Sequence, residues 1–290
     1  MSAARPPRID AHQHYWALSR GDYGWLRPEM VPIHRDFGPA DLDPLLREAG
    51  IAGTIAVQAA PTEAETHYLL DLAAGCGTIL GVVGWSDLEA ADAPARIRSL
   101  AADPLLVGLR PMVHDIADDD WLLRPALTPA VAEMQAQGLV FDALVRPRHL
   151  PRLIRFAQAY PGLPVVIDHL AKPDIAAGPE GGPGRLGQGH GGAGHDAAGQ
   201  LQALRHGHRG GAGLGRGAAA PFAALALELF GPDRLLWGSD WPVLRLAGSY
   251  PQWWQATAEL LAAQPEAARD AILGGNAARI YLGRRGRRPC

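Results

Sequence analysis

Cysteine is nearly absent from this chain. Two residues in 290, Cys76 and Cys290, exclude a disulfide framework and leave no Cys-x-x-Cys pair to hold a metal. A basic surplus is also missing: 27 Lys and Arg stand against 30 Asp and Glu, a formal charge of -3. Such a balance provides no field for gathering nucleic acid. No run of eighteen apolar residues occurs, and the opening "MSAARPPRIDAHQHYW" has no apolar segment of the kind that directs secretion. The expectation is a cytoplasmic protein with neither a nucleic-acid nor a membrane partner. The first strand ends in "DAHQH" rather than in a glycine-rich turn, which argues against a doubly wound dinucleotide-binding sheet.

What is present is an ordinary globular composition, 48% apolar and 20% charged, with a repeating order. Short apolar runs, "GIAGTIAVQAA", "GTILGVVGWSDL", "LLVGLRPMVHD", "GLVFDALVR", "LPVVIDHLAKP" and "DRLLWGSDWP", read as strands buried on both faces. Between them lie segments of helical spacing, such as "PTEAETHYLLDLAAGC" and "HLPRLIRFAQAYP". Thr62 with Glu65 has the spacing of a capping box, and Thr128 before Pro129 reads as a helix start. Six or more strand-helix units in residues 1–290 predict one α/β domain, a closed (β/α)8 barrel.

In such a barrel, chemistry sits where strands end. His12 and His14 are two apart on an extended chain and share one side, so both imidazoles can reach one ion. His169 follows the apolar "VVID", and Asp240 follows "LLWGS". Each has a structural alternative: His169 as a packed histidine, Asp240 as a turn or helix-capping carboxylate. Together the four form a donor set suited to a divalent ion.

The stretches "IDAHQHYW", "VQAAPTEAETHYLLDLA", "GVVGWSDL", "GLRPMVHDIADDDWLLRPAL", "VVIDHLAKPDIAAG", "FGPDRLLWGSDWPV" and "GGNAARIYL" resemble the amidohydrolase-related proteins of the sugar-lactone lactonase group. That group includes fuconolactonase-like enzymes and relatives of the pyrone-dicarboxylate lactonase. The resemblance implies a distorted (β/α)8 barrel that opens a lactone ring, most simply an aldono-1,5-lactone, with a small-molecule lactone as its partner. It implies a site of His12, His14, His169 and Asp240. Asp240 would move the proton, with His169 beside it, and the set would hold one divalent ion, zinc first, or work with none. Other reactions on the same barrel, amide hydrolysis or metal-dependent decarboxylation, remain alternatives. Arg110, His114, Gln58 and Lys172 can orient a polar substrate, with Trp121 and Trp241 as pocket walls. For Arg110 a structural ion pair is the competing reading, for Gln58 and Lys172 a surface or loop position, and for the tryptophans a place in the core. "DDDW" at 118–121 reads as a solvated turn.

One interval breaks the pattern. Residues 178–217 hold sixteen glycines in forty positions and no large aliphatic side chain except leucine. A strand and helix belong there by count, yet glycine-rich sequence is poor strand material, so irregular backbone is expected. The four histidines at 190, 195, 206 and 208 are left out of the site. The stretch from Gly199 to Gly211 admits codons that, read one base later, give "VSCKLSGMVTEA", a strand followed by a loop. Similarly "LGQGHGGAG" from Leu186 admits "WARDMAALA", with helical periodicity. The segment therefore reads as the product of a shifted frame, and a damaged, inactive family member is a third functional alternative. Sequencing the coding DNA tests this: the expected result is codons compatible with the shifted peptide, and an open frame with incompatible codons refutes it.

Overall fold

A computed structural model of the chain describes residues 5–173, 199–203 and 216–283, with only the backbone described for 199–203 and 216–218. Eight strands run in sequence order around one sheet: β1 Ile9–Gln13, β2 Gly53–Val57, β3 Ile79–Gly84, β4 Leu106–Leu109, β5 Val140–Ala143, β6 Val165–Ile167, β7 Gly199–Ala203 and β8 Leu235–Trp237. Each pairs in parallel with the next. The ring closes between β1 and the residues just past β8. A parallel bridge joins Gln13 to Trp241, the amide of Asp240 donates to the His12 carbonyl at 2.8 Å, and that of His14 donates to the Trp241 carbonyl at 2.7 Å. This is the expected (β/α)8 barrel.

The described helices pack outside it: α1 Pro39–Ala49, α2 Glu63–Gly75, α3 Ala93–Ala101, α4 Thr128–Ala136, α5 Leu150–Ala159, α6 Arg216–Phe230 and α7 Tyr250–Leu260. Alternation along the strands builds two cores. Ile9, Ala11, Ile55, Val57, Val83, Val107, Val140, Val166 and Leu236 fill the barrel, while Leu42, Leu69, Ile97, Met134 and Phe156 from the helices pack against the outward strand faces. The capping signals are half realised. Thr62 Oγ1 accepts the Glu65 amide at 3.1 Å, but the Glu65 carboxylate reaches past Thr62 to the amides of Ala59 and Ala60. Thr128 is already inside α4, and its hydroxyl pairs with Tyr160 Oη at 2.9 Å instead of capping.

Two pieces of the glycine-rich interval correct the expectation of irregular backbone. Gly199–Ala203 forms β7, aligned with Val165, Val166 and Ile167 on one side and with Leu235, Leu236 and Trp237 on the other. Arg216 begins α6. A strand between two partners in a closed ring satisfies its backbone groups through both neighbours, whatever its side chains, so position overrides composition here. Residues 174–198 and 204–215 lie outside the described residues.

The base of the barrel is closed by the C-terminal segment. Helix α8, Glu266–Asp270, runs on into widened turns at Ala271–Gly275 and Ala278–Leu282. Ala277, Ile280 and Tyr281 join the inner core. Asn276 Nδ2 donates to the carbonyls of Pro232 and Leu235, both at 2.8 Å, tying this segment to the entry of β8. Gly274 permits the approach. A Cβ there would lie 2.0 Å from the Pro7 carbonyl oxygen and 2.9 Å from the Ile9 nitrogen, both backbone atoms next to β1. We expect Gly274→Ala to cost roughly 2–3 kcal/mol in denaturant unfolding, with Gly283→Ala, whose nearest contact is an ordinary 3.7 Å, as the neutral control.

Candidate active site

An irregularity in β1 aims His12, and His14 just past the strand, inward. Asp10 pairs with Thr54 but Gln13 pairs with Ala56, so three steps on β1 face two on β2. Such a bulge breaks strict alternation. Ile9 and Ala11 lie in the inner core, and the added residue keeps His12 facing inward rather than toward the helices. Asp10, on the opposite face, stabilises the distortion. Its Oδ1 accepts the amides of His12 at 3.2 Å and Ser239 at 2.9 Å, and its Oδ2 accepts Tyr250 Oη at 3.0 Å. Burial nevertheless pushes the Asp10 carboxyl up to about 6, with these donors opposing the rise.

Three acceptor atoms converge above the bulge. His12 Nε2 lies 3.1 Å from His14 Nε2, His14 Nε2 lies 3.0 Å from Asp240 Oδ1, and His12 Nε2 lies 3.5 Å from the same oxygen. His14 Nδ1 is 2.7 Å from the Val57 carbonyl. A carbonyl only accepts, so this contact puts the proton on Nδ1 and leaves Nε2 a lone pair directed into the site. Asp240 is brought in by its left-handed backbone, φ 55°, and is fixed by donation to the His12 carbonyl and by accepting the Leu244 amide at 2.9 Å.

His169 arrives differently. Residues His169, Leu170, Ala171 and Lys172 all have φ between 53° and 61°, a left-handed run that costs about 1 kcal/mol or more per non-glycine residue. The run turns the chain back at the end of β6 and sets the His169 ring 4.6 Å, centroid to centroid, from that of His12. The four predicted ligands therefore meet as two overlapping groups sharing His12: His12, His14 and Asp240, and His12, Asp168 and His169, each within 4.8 Å. Asp168 escaped the sequence reading, although "IDHL" carries a carboxylate directly before the histidine, much as "DAHQH" carries one two residues before His12. It is fully buried, its Oδ1 lies 3.8 Å from His12 Nδ1, and its Oδ2 takes Arg110 Nη1 at 3.0 Å. Burial raises its carboxyl above the usual range, and Arg110 pulls the other way.

A family model for amidohydrolases matches residues 9–282. The chain belongs to the amidohydrolase family. It is 45% identical to the L-fucono-1,5-lactonase of Burkholderia ambifaria over 287 residues, 94% of this chain and 95% of that protein. It is 35% identical to the L-fucono-1,5-lactonase of Burkholderia multivorans, over 94% and 95%. Among solved structures, an amidohydrolase from Burkholderia multivorans with bound zinc matches with a TM-score of 0.84 at 32% identity, covering 95% of this chain and 99% of that one. A probable 2-pyrone-4,6-dicarboxylic acid hydrolase from Acinetobacter baumannii matches with a TM-score of 0.76 over 94% and 98%, at 17% identity, a likeness of fold alone.

In this amidohydrolase the buried donors suit a divalent ion. Ligand atoms about 2.0–2.1 Å from a tetrahedral ion stand about 3.3 Å from one another, and the His12, His14 and Asp240 atoms are separated by 3.0–3.5 Å. The remaining sequence candidates are dispersed. Arg110 and Gln58 are buried beside the histidines, just past the ends of β4 and β2, and lock one another: Gln58 Nε2 donates to the Arg110 carbonyl at 2.9 Å, and Arg110 Nη2 donates to the Gln58 carbonyl. His114 stands on a short turn, its Nε2 3.2 Å from Asp115. Lys172 is partly exposed at the end of the left-handed run, its amide donating to the His169 carbonyl at 2.9 Å.

The two tryptophans take the core alternative. The Trp241 ring packs edge-on against Phe37 at 5.2 Å and Tyr15 at 6.1 Å. Trp121 is buried with its Nε1 donating to Glu89 at 2.7 Å. The "DDDW" turn before it is exposed at Asp120 and half-buried at Asp118 and Asp119, and each aspartate meets an arginine: Asp118 with Arg124, Asp119 with Arg148 and Asp120 with Arg152, all at 2.7 Å. The loop that follows β2 is held by Glu65, whose carboxyl burial pushes up to about 7. A carboxyl whose pKa is raised on folding binds its proton more tightly in the native state, so its contribution to stability declines as pH rises from 4.5 to 7. Glu65→Gln is expected to remove that decline, measured as the gap in unfolding free energy between wild type and variant at pH 4.5 and at pH 7.

Proposed function

We propose that this amidohydrolase hydrolyses sugar-acid 1,5-lactones, with L-fucono-1,5-lactone as the leading substrate. The observation that carries the reading is the meeting of His12, His14 and Asp240 atoms within 3.5 Å at the closure of the barrel. The 45% identity to an L-fucono-1,5-lactonase across 94% of the chain supports the choice of reaction among those the fold supports.

His12, His14 and Asp240 would hold one divalent ion, with zinc the first choice on the donor set and on the zinc-bound relative. The His169 ring stands 4.6 Å from that of His12. When bound, such an ion polarises the lactone carbonyl and eases loss of a proton from water. The chain supplies the rest. Asp240, buried and fixed through its own backbone, accepts the proton of the attacking water as the new carbon–oxygen bond forms. As the ring carbon–oxygen bond breaks, Asp240 returns that proton to the departing ring oxygen, so lactone and water become one open-chain hydroxy acid. His14, with its proton committed to Val57, keeps a lone pair toward the site throughout. His169 faces the developing negative charge.

Asp240→Asn retains the shape and the Oδ1 acceptor but not the base. We expect kcat to fall by roughly 10²–10⁴-fold with unfolding unchanged, followed as proton release from L-fucono-1,5-lactone and from other aldono-1,5-lactones. Undiminished turnover in the variant, or carbon dioxide release from aromatic acids without lactone opening by the wild type, overturns the proposal.

A further inference from the structure

The arginine beside His12 carries a second inference. Arg110 was expected to contact substrate or to form an ion pair, and the ion pair is what the geometry shows. Arg110 is buried at 3% exposure, its guanidinium held on two sides and its backbone carbonyl on a third. Nη1 donates to Asp168 Oδ2 at 3.0 Å, Nη2 donates to the Gln58 carbonyl, and Gln58 Nε2 clamps the Arg110 carbonyl at 2.9 Å. On its remaining side, Nη1 lies 3.3 Å from His12 Nε2. That is the same nitrogen that faces His14 and Asp240. Guanidinium has only N–H groups to offer, so this contact occupies the His12 lone pair that a divalent ion needs.

We propose that Arg110 is a resident cation which competes with the metal for His12 and sets a weak metal affinity at this site. The inference rests on the metal reading of the His12, His14 and Asp240 group. Metal entry requires His12 Nε2 to exchange an arginine N–H for the ion, and it brings two positive charges beside a third that cannot withdraw. Withdrawal would break the Asp168 pair and the Gln58 clamp together, leaving the fully buried Asp168 carboxylate uncompensated. Three acceptor atoms lie within 3.5 Å of one another while the guanidinium meets the His12 nitrogen, so an ion still gains from entering. The affinity is the net of that gain and the guanidinium's repulsion. Arg110 on this reading is a positioning residue: it acts on the metal through His12.

The test is zinc binding by titration calorimetry on chelator-stripped protein, which needs no substrate and so stands apart from any failure of the lactonase reading. Arg110→Met removes the charge at similar length. Arg110→Met with Asp168→Asn removes both members of the buried pair, which preserves folding where the single change strands a carboxylate. We expect both variants, with native circular dichroism, to bind zinc at least tenfold more tightly than wild type. Equal or weaker binding in the double variant overturns the proposal. So does tightening confined to the single variant, because the gain would then come from a freed Asp168 acting as a ligand.

Discussion

The closure between β1 and the end of β8 is the constraint on which the rest of the molecule depends. At one seam the Asp240 amide binds the His12 carbonyl, the His14 amide binds the Trp241 carbonyl, and Asp10 accepts amides from both sides of the junction. The hydrogen bonds that close the ring are made by the residues that build the site or by their immediate neighbours. Catalytic geometry and barrel integrity are therefore one requirement, and Asp10 serves both, at the cost of a carboxyl buried where its ionisation is disfavoured.

The sequence shows the barrel well because periodicity and order are local properties: runs such as "GTIAV" and "ILGVVG" became β2 and β3. His12, His14 and Asp240 were legible because each stands at or just past the end of a strand in a fold where strand ends converge. What escaped was set by contacts across the ring. The bulge in β1 has no compositional mark, since it arises from register against β2. Asp168 is adjacent to His169, yet its importance comes from Arg110, 58 positions away. Trp241 was misplaced because its neighbour Asp240 faces the site, while backbone geometry sends the indole to Phe37 and Tyr15. In β7, pairing with two neighbours overrode composition.

Inside the barrel the charged groups form a connected set. His12 faces Asp168, Asp168 pairs with Arg110, and Asp142, fully buried on β5, accepts Tyr281 Oη with both carboxylate oxygens at 3.0 and 2.9 Å. Burial and the neighbouring Asp168 drive the Asp142 carboxyl well above its ordinary range. A purely aliphatic interior would be cheaper to bury. These buried contacts steady the charges of the site from the protein interior rather than from solvent.

The interior contacts end on Tyr281, which follows every strand in sequence. During synthesis, β1 to β8 emerge before the side chains that fill their common base, so the inner core stays open until the segment from Ala277 to Tyr281 has been made. A chain that stopped at the end of α7 would have every strand and every proposed ligand, yet no floor beneath them.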